Sequence, residues 1–275
     1  MQGTAEHIRI GGKRIAVVPT MGYLHEGHAS LIREARQHAD VVITTIFVNP
    51  AQFAPHEDFS NYPRDLKHDT SLAESSGSDI LFTPEARSMY PDRYLTYVGV
   101  ETITSVLEGK FRPTHFRGVT TVVVKLFNLT KPHVAIFGQK DAQQAVVIRR
   151  MVEDLNFDVE IIVAPIVREP DGLAMSSRNI YLTSSERTEA LALSQSLHLA
   201  GRLIARGQRS PSAVIMEMTK HISAMPSSKI DYISIADPLT LQEKSALAPG
   251  ETVLISLAVR IGTTRLIDNT LVTVP

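Results

Sequence analysis

The chain of 275 residues contains no cysteine, which excludes disulfide bonds, thiolate catalysis and cysteine-ligated zinc. No apolar run approaches the roughly 20 residues that a membrane-spanning helix needs, and residues 1–14 lack the apolar segment of a secretory signal. Neither sign of charge is in excess, because 28 lysines and arginines stand against 29 acidic residues. These absences argue against nucleic-acid binding and a membrane anchor, and a cytoplasmic location is the expectation.

Short apolar strands and amphipathic helices alternate along the first two thirds of the sequence. The predicted strands cover residues 15–18, 41–48, 79–83, 134–137 and 159–167. The predicted helices begin at His28 and then cover residues 64–75, 115–130 and 141–155. Strands that alternate with helices are typical of α/β proteins, so we expect a Rossmann-like doubly wound parallel sheet.

The pattern changes after Tyr181. Two successive helices are predicted at residues 184–206 and 211–224, followed by strands at 230–236, 253–258 and 265–267. This order indicates a smaller C-terminal α+β domain with antiparallel pairing. We therefore divide the chain into a first domain at residues 1–180 and a second domain at residues 181–275.

A glycine-containing turn follows the first predicted strand and precedes a helix. In it, His25 and His28 are three residues apart, so both can face the same side of the turn. A helix start offers unpaired N–H groups and a favourable dipole to anions, and Gly27 lets the backbone approach a phosphate closely. Two imidazoles here can donate hydrogen bonds to phosphate oxygens, more strongly when they are charged. The alternative is an ordinary turn with two surface histidines.

A second junction between a strand and a helix, at residues 137–144, carries three polar side chains. Asp141 is predicted to cap the helix. Lys140 can reach an anion bound over the edge of the sheet, and Gln144 can point the same way one turn later. The alternative is a capped helix start with solvated side chains.

Two further loops follow strands. Residues 175–178 offer two hydroxyls and a guanidinium, a set suited to holding phosphate, although an interdomain linker is the alternative. Gln52 can hydrogen-bond a small polar substrate, although a loop glutamine is usually solvated. All four segments lie at the carboxyl ends of predicted strands, where open α/β sheets bind their ligands.

Taken together, these segments resemble a known family. The sequence P-T-M-G-Y-L-H-E-G-H at residues 19–28, together with residues 175–178, is similar to the paired signatures of the H-x-G-H nucleotidyltransferase superfamily. Five further segments narrow the match to one family within this superfamily. They are F-V-N-P-A-Q-F at residues 47–53, Y-P-R at 62–64, L-E-G-K-F-R-P-T-H-F-R-G-V at 107–119, F-G-Q-K-D-A-Q-Q at 137–144 and D-G-L-A-M-S-S-R-N at 171–179. The set resembles the pantothenate synthetase (pantoate–β-alanine ligase) family over nearly the whole chain.

The resemblance implies a reaction in two steps. Pantoate and ATP give pantoyl adenylate and pyrophosphate, and the amine of β-alanine then gives pantothenate and AMP. The family also implies Mg²⁺ and a homodimer, whereas the expectation of no nucleic-acid or membrane partner rests on the charge balance and the lack of long apolar runs.

The resemblance implies roles for individual residues as well. His28, the matched proton donor, would act in catalysis with His25, Lys140 and Arg178. Gln52 and Gln144 would form the pantoate and β-alanine site, both holding pantoate and Gln52 also contacting β-alanine. The positions that match ATP contacts are Met21, Gly22, Tyr23, Leu24, His25, Glu26, Gly27, His28, Gly138, Gln139, Lys140, Asp141, Val167, Met175, Ser176, Ser177 and Arg178. Gln139 stands where family members often have Glu, so we expect its backbone to matter more than its side chain.

Two features depart from the family or stay open. Family members usually have a strand and a helix before the segment at residues 12–14, so we expect the first helix and an edge strand to be absent. Asp69 is a candidate neighbour of Mg²⁺, but a solvated helix carboxylate is the preferred interpretation. Two other functions remain, an adenylyl- or cytidylyltransferase of the same superfamily and a non-catalytic nucleotide-binding protein.

Overall fold

Five parallel strands form the first sheet of the protein, of which a computed structural model describes residues 1–55 and 57–275. These strands are β1 (Ile15–Thr20), β2 (Val41–Ile46), β3 (Ile80–Phe82), β4 (Val134–Gly138) and β5 (Glu160–Ala164). Their spatial order is β3-β2-β1-β4-β5, and all four neighbouring pairs are parallel. The order reverses between β1 and β4, and such a switch point opens a crevice at the carboxyl ends of the strands.

Helices cover both faces of this sheet. They are α1 (Gln2–Ile10), α2 (Glu26–His38), α3 (Leu66–Ser75), α4 (Ala86–Met89), α5 (Glu108–Phe111), α6 (His115–Thr130) and α7 (Ala142–Asp154). The expectation that the first helix is absent is wrong, because α1 precedes β1 and buries Ala5 against the sheet's core. Three short 3₁₀ helices follow strand ends, at Pro50–Gln52, Gln139–Asp141 and Ser177–Tyr181.

The central strand is buried on both of its faces. Because side chains alternate along a strand, Ile15 and Val17 enter the core beneath α6, whereas Ala16 and Val18 enter the core beneath α2. All four side chains have no exposed surface. This burial makes β1 a rigid base for the loop that follows it.

The C-terminal part has its own sheet and core. Helices α8 (Ser184–Ala205) and α9 (Pro211–Ser223) pack on the antiparallel strands β6 (Ser228–Ala236), β7 (Thr252–Ile261) and β8 (Thr264–Thr273). The predicted α/β fold with a smaller antiparallel C-terminal part is therefore confirmed. Among the helices that the structure describes, none is long and apolar enough to cross a membrane.

Polar and apolar contacts join the two sheets. Arg265 on β8 forms an ion pair with Glu108 of α5, with N–O distances of 2.6 and 2.9 Å, and Leu254 of β7 packs on Leu107 and Ala142 in a shared apolar cluster. The domain boundary that we predict at residue 180 lies in the 3₁₀ helix Ser177–Tyr181, and it stays a prediction.

Candidate active site

Two adjoining cavities open at the carboxyl ends of β1 and β4. The smaller has a volume of about 220 Å³ and the larger about 530 Å³. Both are lined by Lys140, Asp141, Gln144, Ser176 and Arg178, so they form one continuous cleft. The predicted residues that line the smaller cavity alone are Met21, His25, Gly27, His28, Gln52, Gly138, Val167, Met175 and Ser177. The predicted segments therefore meet at one place.

The two histidines cap the start of α2 reciprocally. The Nδ1 atom of His25 accepts a hydrogen bond from the N–H of Gly27 at 3.1 Å, and the Nδ1 atom of His28 accepts from the N–H of His25 at 3.2 Å. This is a capping box built from imidazoles. A Cβ atom at position 27 would lie 2.9 Å from the His25 ring, so the motif needs glycine there.

The same hydrogen bonds decide which ring nitrogen carries the proton. Because each Nδ1 accepts a hydrogen bond, each neutral ring has its proton on Nε2, which is left as a donor. Burial lowers the pKa of His25 to about 4, with Lys140 contributing. Burial, then His25 and Lys140, hold the pKa of His28 well below its usual range. Both rings are therefore neutral donors near pH 7, and the charged form considered from the sequence is not the one that this site favours.

Lys140 lies in the 3₁₀ helix that connects β4 to α7. Asn269 of β8 donates from its Nδ2 atom to the backbone oxygens of Gln139 and Lys140, at 2.9 and 3.0 Å. Gln139 also donates its side-chain amide to Asn269 at 3.0 Å. The C-terminal sheet thus holds the segment that carries Lys140. Asp141 occupies the N-cap position of α7, but its side chain makes no capping hydrogen bond, so the predicted cap is wrong in that respect.

Gln52 is held in place at the end of the segment that follows β2. The side chain is 8% exposed, accepts a hydrogen bond from Asn49 at 3.1 Å and donates to the sulfur of Met21 at 2.8 Å. His115 and Arg112 both reach the backbone oxygen of Gln52, at 3.0 and 3.3 Å. A glutamine this buried is not the solvated loop residue that the alternative interpretation describes.

Arg178 approaches the cleft already paired. Its Nε and Nη2 atoms donate to the two carboxylate oxygens of Asp58 at 2.9 and 3.0 Å. The neighbouring Glu57 forms a similar bidentate pair with Arg112, with both N–O distances at 2.6 Å. Sequence reasoning missed Glu57, Asp58 and Arg112. Two consecutive acidic residues in a loop carry no signal that their partners lie 55 and 120 residues away.

Two of the residues matched to the phosphate-holding loop have other contacts. The Ser176 hydroxyl accepts from the N–H of Arg178 at 3.3 Å and starts the 3₁₀ helix. The Ser177 hydroxyl lies 3.3 Å from the Tyr62 hydroxyl. Both serines line the smaller cavity.

Five of the predicted ATP contacts do not line either cavity. They are Gly22, Tyr23, Leu24, Glu26 and Gln139. Leu24 is buried in the core beneath α2 and Glu26 pairs with Arg33, so their side chains support the loop.

Asp69 is 1% exposed, so the preferred interpretation of a solvated carboxylate is wrong. Its two oxygens accept hydrogen bonds from the N–H groups of Tyr23 and Leu24. Among the described residues, no three His, Asp or Glu side chains are grouped as a metal site. Asp69 therefore serves the loop as an acceptor of backbone hydrogen bonds.

The switch point between β1 and β4, with polar side chains converging on it, defines an α/β protein whose ligand site lies at the crevice of a parallel sheet. A family profile described as Pantoate-beta-alanine ligase matches residues 1–271. The chain belongs to the pantoate–β-alanine ligase family, which confirms the predicted resemblance.

Curated relatives agree over nearly their whole length. The pantothenate synthetase of Moorella thermoacetica is 57% identical over 258 residues, which are 94% of this chain and 90% of that protein. The pantothenate synthetase of Chloroherpeton thalassium is 53% identical over 270 residues, or 98% of this chain and 95% of that protein.

Solved structures confirm the fold. Pantothenate synthetase from Thermus thermophilus matches with a TM-score of 0.91 at 42% identity, covering 97% of this chain and 96% of that one. Pantoate-beta-alanine ligase from Francisella tularensis, complexed with beta-gamma ATP and beta-alanine, matches with a TM-score of 0.80 at 38% identity, covering 98% of this chain and 95% of that one.

Proposed function

We propose that this chain is an AMP-forming ligase that condenses pantoate with β-alanine at the expense of ATP. A pantoate carboxylate oxygen attacks the α-phosphorus of ATP and pyrophosphate leaves, giving pantoyl adenylate. The amine of β-alanine then attacks the acyl carbon, and AMP leaves with the oxygen that pantoate supplied. One observation carries the proposal: neutral imidazole donors, a lysine and two glutamines share one cleft in a chain of this family.

The first step joins two anions, so it depends on charge neutralisation and positioning. Lys140 supplies a positive charge, and the Nε2–H groups of His25 and His28 supply donors for phosphate oxygens as charge moves to the leaving pyrophosphate. The start of α2 also presents the positive end of a helix dipole, which favours the negative charge of the phosphates. Fixed donors of this kind are each worth about 3–4 kcal/mol of transition-state stabilisation.

Neutral histidines suit this role. A neutral ring donates through Nε2 but has no spare proton to release at pH 7, so His28 stabilises charge by hydrogen bonding. We therefore propose that His28 donates a hydrogen bond, in place of the proton donation that the family resemblance implies. The low pKa of both rings, caused first by burial, supports this choice.

The acid is proposed to lie between Gln52 and Gln144. Both side chains line the smaller cavity, which at about 220 Å³ admits a small acid beside the phosphates. Holding the carboxylate in line with the α-phosphate could contribute on the order of 7–11 kcal/mol, since positioning removes the entropic cost of bringing the reactants together. The side-chain amide of Asn49 donates a hydrogen bond to Gln52 and so fixes the position of the Gln52 side chain in this pocket.

The second step needs the adenylate to be shielded from water. β8 of the C-terminal sheet lies over the larger cavity through Arg265 and Asn269. We propose that the larger cavity admits β-alanine and releases pyrophosphate, while β8 limits the access of water.

The family resemblance also implies Mg²⁺. Mg²⁺ is commonly held by one or two carboxylates together with substrate phosphates, and the described residues do not supply a protein-only site. The phosphates of ATP would therefore provide most of the ligands of Mg²⁺. A homodimer and a cytoplasmic location are proposed on the family resemblance alone.

Isotope transfer tests the proposal. The protein is incubated with ATP, Mg²⁺ and pantoate carrying ¹⁸O in its carboxylate, with and without β-alanine, and the products are identified by mass spectrometry. We expect pantothenate, pyrophosphate and ¹⁸O-labelled AMP when all substrates are present, and pantoate-dependent exchange of pyrophosphate into ATP without β-alanine. Unlabelled AMP, or no pantothenate, contradicts the proposal.

A further inference from the structure

A buried carboxylate on a neighbouring helix holds the backbone of the loop that precedes the two histidines. Asp69, in the first turn of α3, accepts hydrogen bonds from the N–H of Tyr23 at 2.9 Å and from the N–H of Leu24 at 2.6 Å. The two partners are 46 and 45 residues away in sequence. Within the described part of the chain, no lysine, arginine or histidine forms an ion pair with Asp69, so these two N–H groups satisfy its buried carboxyl oxygens.

The loop needs such an anchor because its backbone is strained. Tyr23 has φ of 51°, a value that non-glycine residues rarely adopt, and Gly22 has φ of 86°. A Cβ atom at Gly22 would lie 3.0 Å from the carboxylate of Asp69 and 2.9 Å from Ile46. Conformations of this kind persist only where the surroundings hold them. The carboxylate therefore holds two consecutive peptide groups directly after the strained residues.

The anchor acts on the histidines through the chain. Leu24 is followed at once by His25, whose own N–H is the donor in the capping hydrogen bond to His28. His68, next to Asp69, reaches the backbone oxygen of Leu24 at 3.1 Å. The start of α3 thus holds both the N–H and the C=O of the residue before the capping box.

We propose that Asp69 is a positioning residue that directs the imidazoles of His25 and His28 into the cleft by fixing the backbone of Tyr23 and Leu24. This proposal rests on the proposed function for its kinetic consequence, but its structural consequence stands independently. Asp69 itself does not line either cavity. Its effect on the reaction passes through the loop.

The substitution Asp69→Asn tests the proposal because it keeps the shape of the side chain and turns one acceptor into a donor that faces an N–H group. We expect kcat for pantoate-dependent pyrophosphate exchange to fall about 100-fold, since a displacement of about 1 Å at a reacting centre has that effect. In the full reaction, kcat/KM for β-alanine, which reports the step after adenylate formation, should stay unchanged. Unchanged exchange kinetics in the folded variant overturn the proposal.

A spectroscopic readout separates this proposal from the function. In ¹⁵N-histidine NMR spectra, His25 and His28 of the wild type should both show the neutral Nε2–H tautomer, because their Nδ1 atoms accept hydrogen bonds. In Asp69→Asn both signals should move toward the averaged tautomers of a mobile ring. Wild-type histidine spectra in this variant overturn the proposal even if the chain has another activity, whereas absent exchange in the wild type contradicts only the proposed function.

Asp65→Ala is the matched control on the same helix. Asp65 caps α3 by accepting from the N–H of His68 at 3.0 Å, and it is exposed. Its loss weakens α3 but removes neither hydrogen bond from the N–H groups of Tyr23 and Leu24 to Asp69, so the His25 and His28 spectra and the exchange kinetics should stay as in the wild type. If Asp65→Ala changes them as strongly as Asp69→Asn, general loosening of α3 explains the effect and the proposal is overturned.

Hydrogen exchange of the unmodified protein gives a measurement that needs no variant. If Asp69 holds the loop, the amide protons of Tyr23 and Leu24 exchange slowly although both residues lie outside helices and strands. Rapid exchange of both protons overturns the proposal, even if Asp69→Asn fails to fold.

Discussion

At the scale of single residues, Lys140 differs from the other cations of the cleft. Arg112 and Arg178 are each paired with an acidic side chain at 3.0 Å or less. For Lys140, no ion pair within 4.0 Å is found in the described ranges. Its charge is therefore left for a ligand, whereas the guanidinium groups of Arg112 and Arg178 are already neutralised by Glu57 and Asp58.

Lys140→Ala should slow adenylate formation by about 100- to 1,000-fold, because one well-placed charged donor is lost. Thermal stability should hardly change, since the ammonium group supports no ion pair in the described part of the fold. Rapid-quench measurement of pantoyl adenylate checks the rate, with Lys13→Ala, a change at an exposed position outside the cleft, as the control. A wild-type rate in Lys140→Ala removes this residue from the mechanism.

Two adjacent glutamines on α7 allow a paired prediction. Gln144 lines both cavities, whereas Gln143 is 6% exposed and bonds the backbone of Glu108, Ile103 and Val106 at 2.8–2.9 Å. Gln144→Ala should raise the KM for pantoate more than that for ATP and leave stability unchanged. Gln143→Ala should instead lower the free energy of unfolding by about 2–3 kcal/mol, since buried polar groups lose their partner.

Steady-state kinetics and urea unfolding of both variants check this pair of expectations. The account is contradicted if Gln144→Ala leaves the KM for pantoate unchanged, or if the two variants show the same behaviour.

The sequence could predict side chains that line the cleft, because His25, Gln52 and Lys140 lie in the segments that follow β1, β2 and β4, whose ends meet at one edge of the sheet. It could not predict the residues that hold them. Asp69 and Asn269 lie 45 and 129 residues from the backbone groups that they bind. Such pairings depend on how helices and sheets pack, and no local pattern records them.

At the scale of elements, the start of α2 combines a structural and a chemical role. The imidazoles of His25 and His28 satisfy N–H groups that a helix start leaves unpaired. The cost of this arrangement is a glycine at position 27, which weakens a helix by about 1 kcal/mol relative to alanine. The H-x-G-H spacing thus lets each imidazole accept a hydrogen bond from a backbone N–H of the first turn, and the glycine leaves space for the His25 ring.

Gly27→Ala should separate activity from stability. The added methyl group displaces the His25 ring, so pantoate-dependent pyrophosphate exchange should fall about 100-fold, as for a reacting group moved by about 1 Å. The melting temperature should change little, because the better helix propensity of alanine offsets the lost cap by about 1 kcal/mol. Calorimetry and exchange assays check this, and full activity in the variant contradicts the capping-box account.

Helix positions were predicted well wherever the apolar period was long, whereas the strand predicted at residues 265–267 is the much longer β8. α6 begins and ends at the predicted residues, and α7, α8 and α9 differ by one residue at each end or less. α1, α4 and α5 were missed. α4 and α5 have only four residues each, too few for a period to be seen, and α1 buries Ala5 alone, so it lacks a continuous apolar face.

At the scale of the whole molecule, the two sheets are joined around the cleft. Arg168 pairs with Asp268 at 2.7 and 3.0 Å, and Arg265 pairs with Glu108 and Asp231. His115, at the start of α6, lies on the wall shared by both cavities. The architecture therefore places several buried neutral or paired groups where the two sheets meet at the cleft.

Stability should fall as the pH falls from about 6.5 to about 4. Burial, with Arg112 contributing, lowers the pKa of His115 to about 4. Below pH 6.5 the unfolded chain then binds a proton that the folded chain does not, so protonation favours unfolding. The loss from His115 alone is on the order of 3 kcal/mol, since one pKa unit corresponds to about 1.4 kcal/mol.

Urea unfolding across this pH range checks the prediction, with His115→Gln as the comparison. The variant should lose less stability on acidification than the wild type, although it starts from a lower value. Equal pH dependence of the two proteins would contradict a neutral buried His115.

The central claim is that the histidine-capped helix, Lys140 and the two glutamines form one adenylating site. A crystal structure of this protein with pantoate and a non-hydrolysable ATP analogue tests it most directly. We predict a pantoate carboxylate oxygen about 3–3.5 Å from the α-phosphorus, with the Nε2 atoms of His25 and His28 donating to phosphate oxygens. Phosphates bound away from both rings, or pantoate bound away from Gln52 and Gln144, would contradict the account.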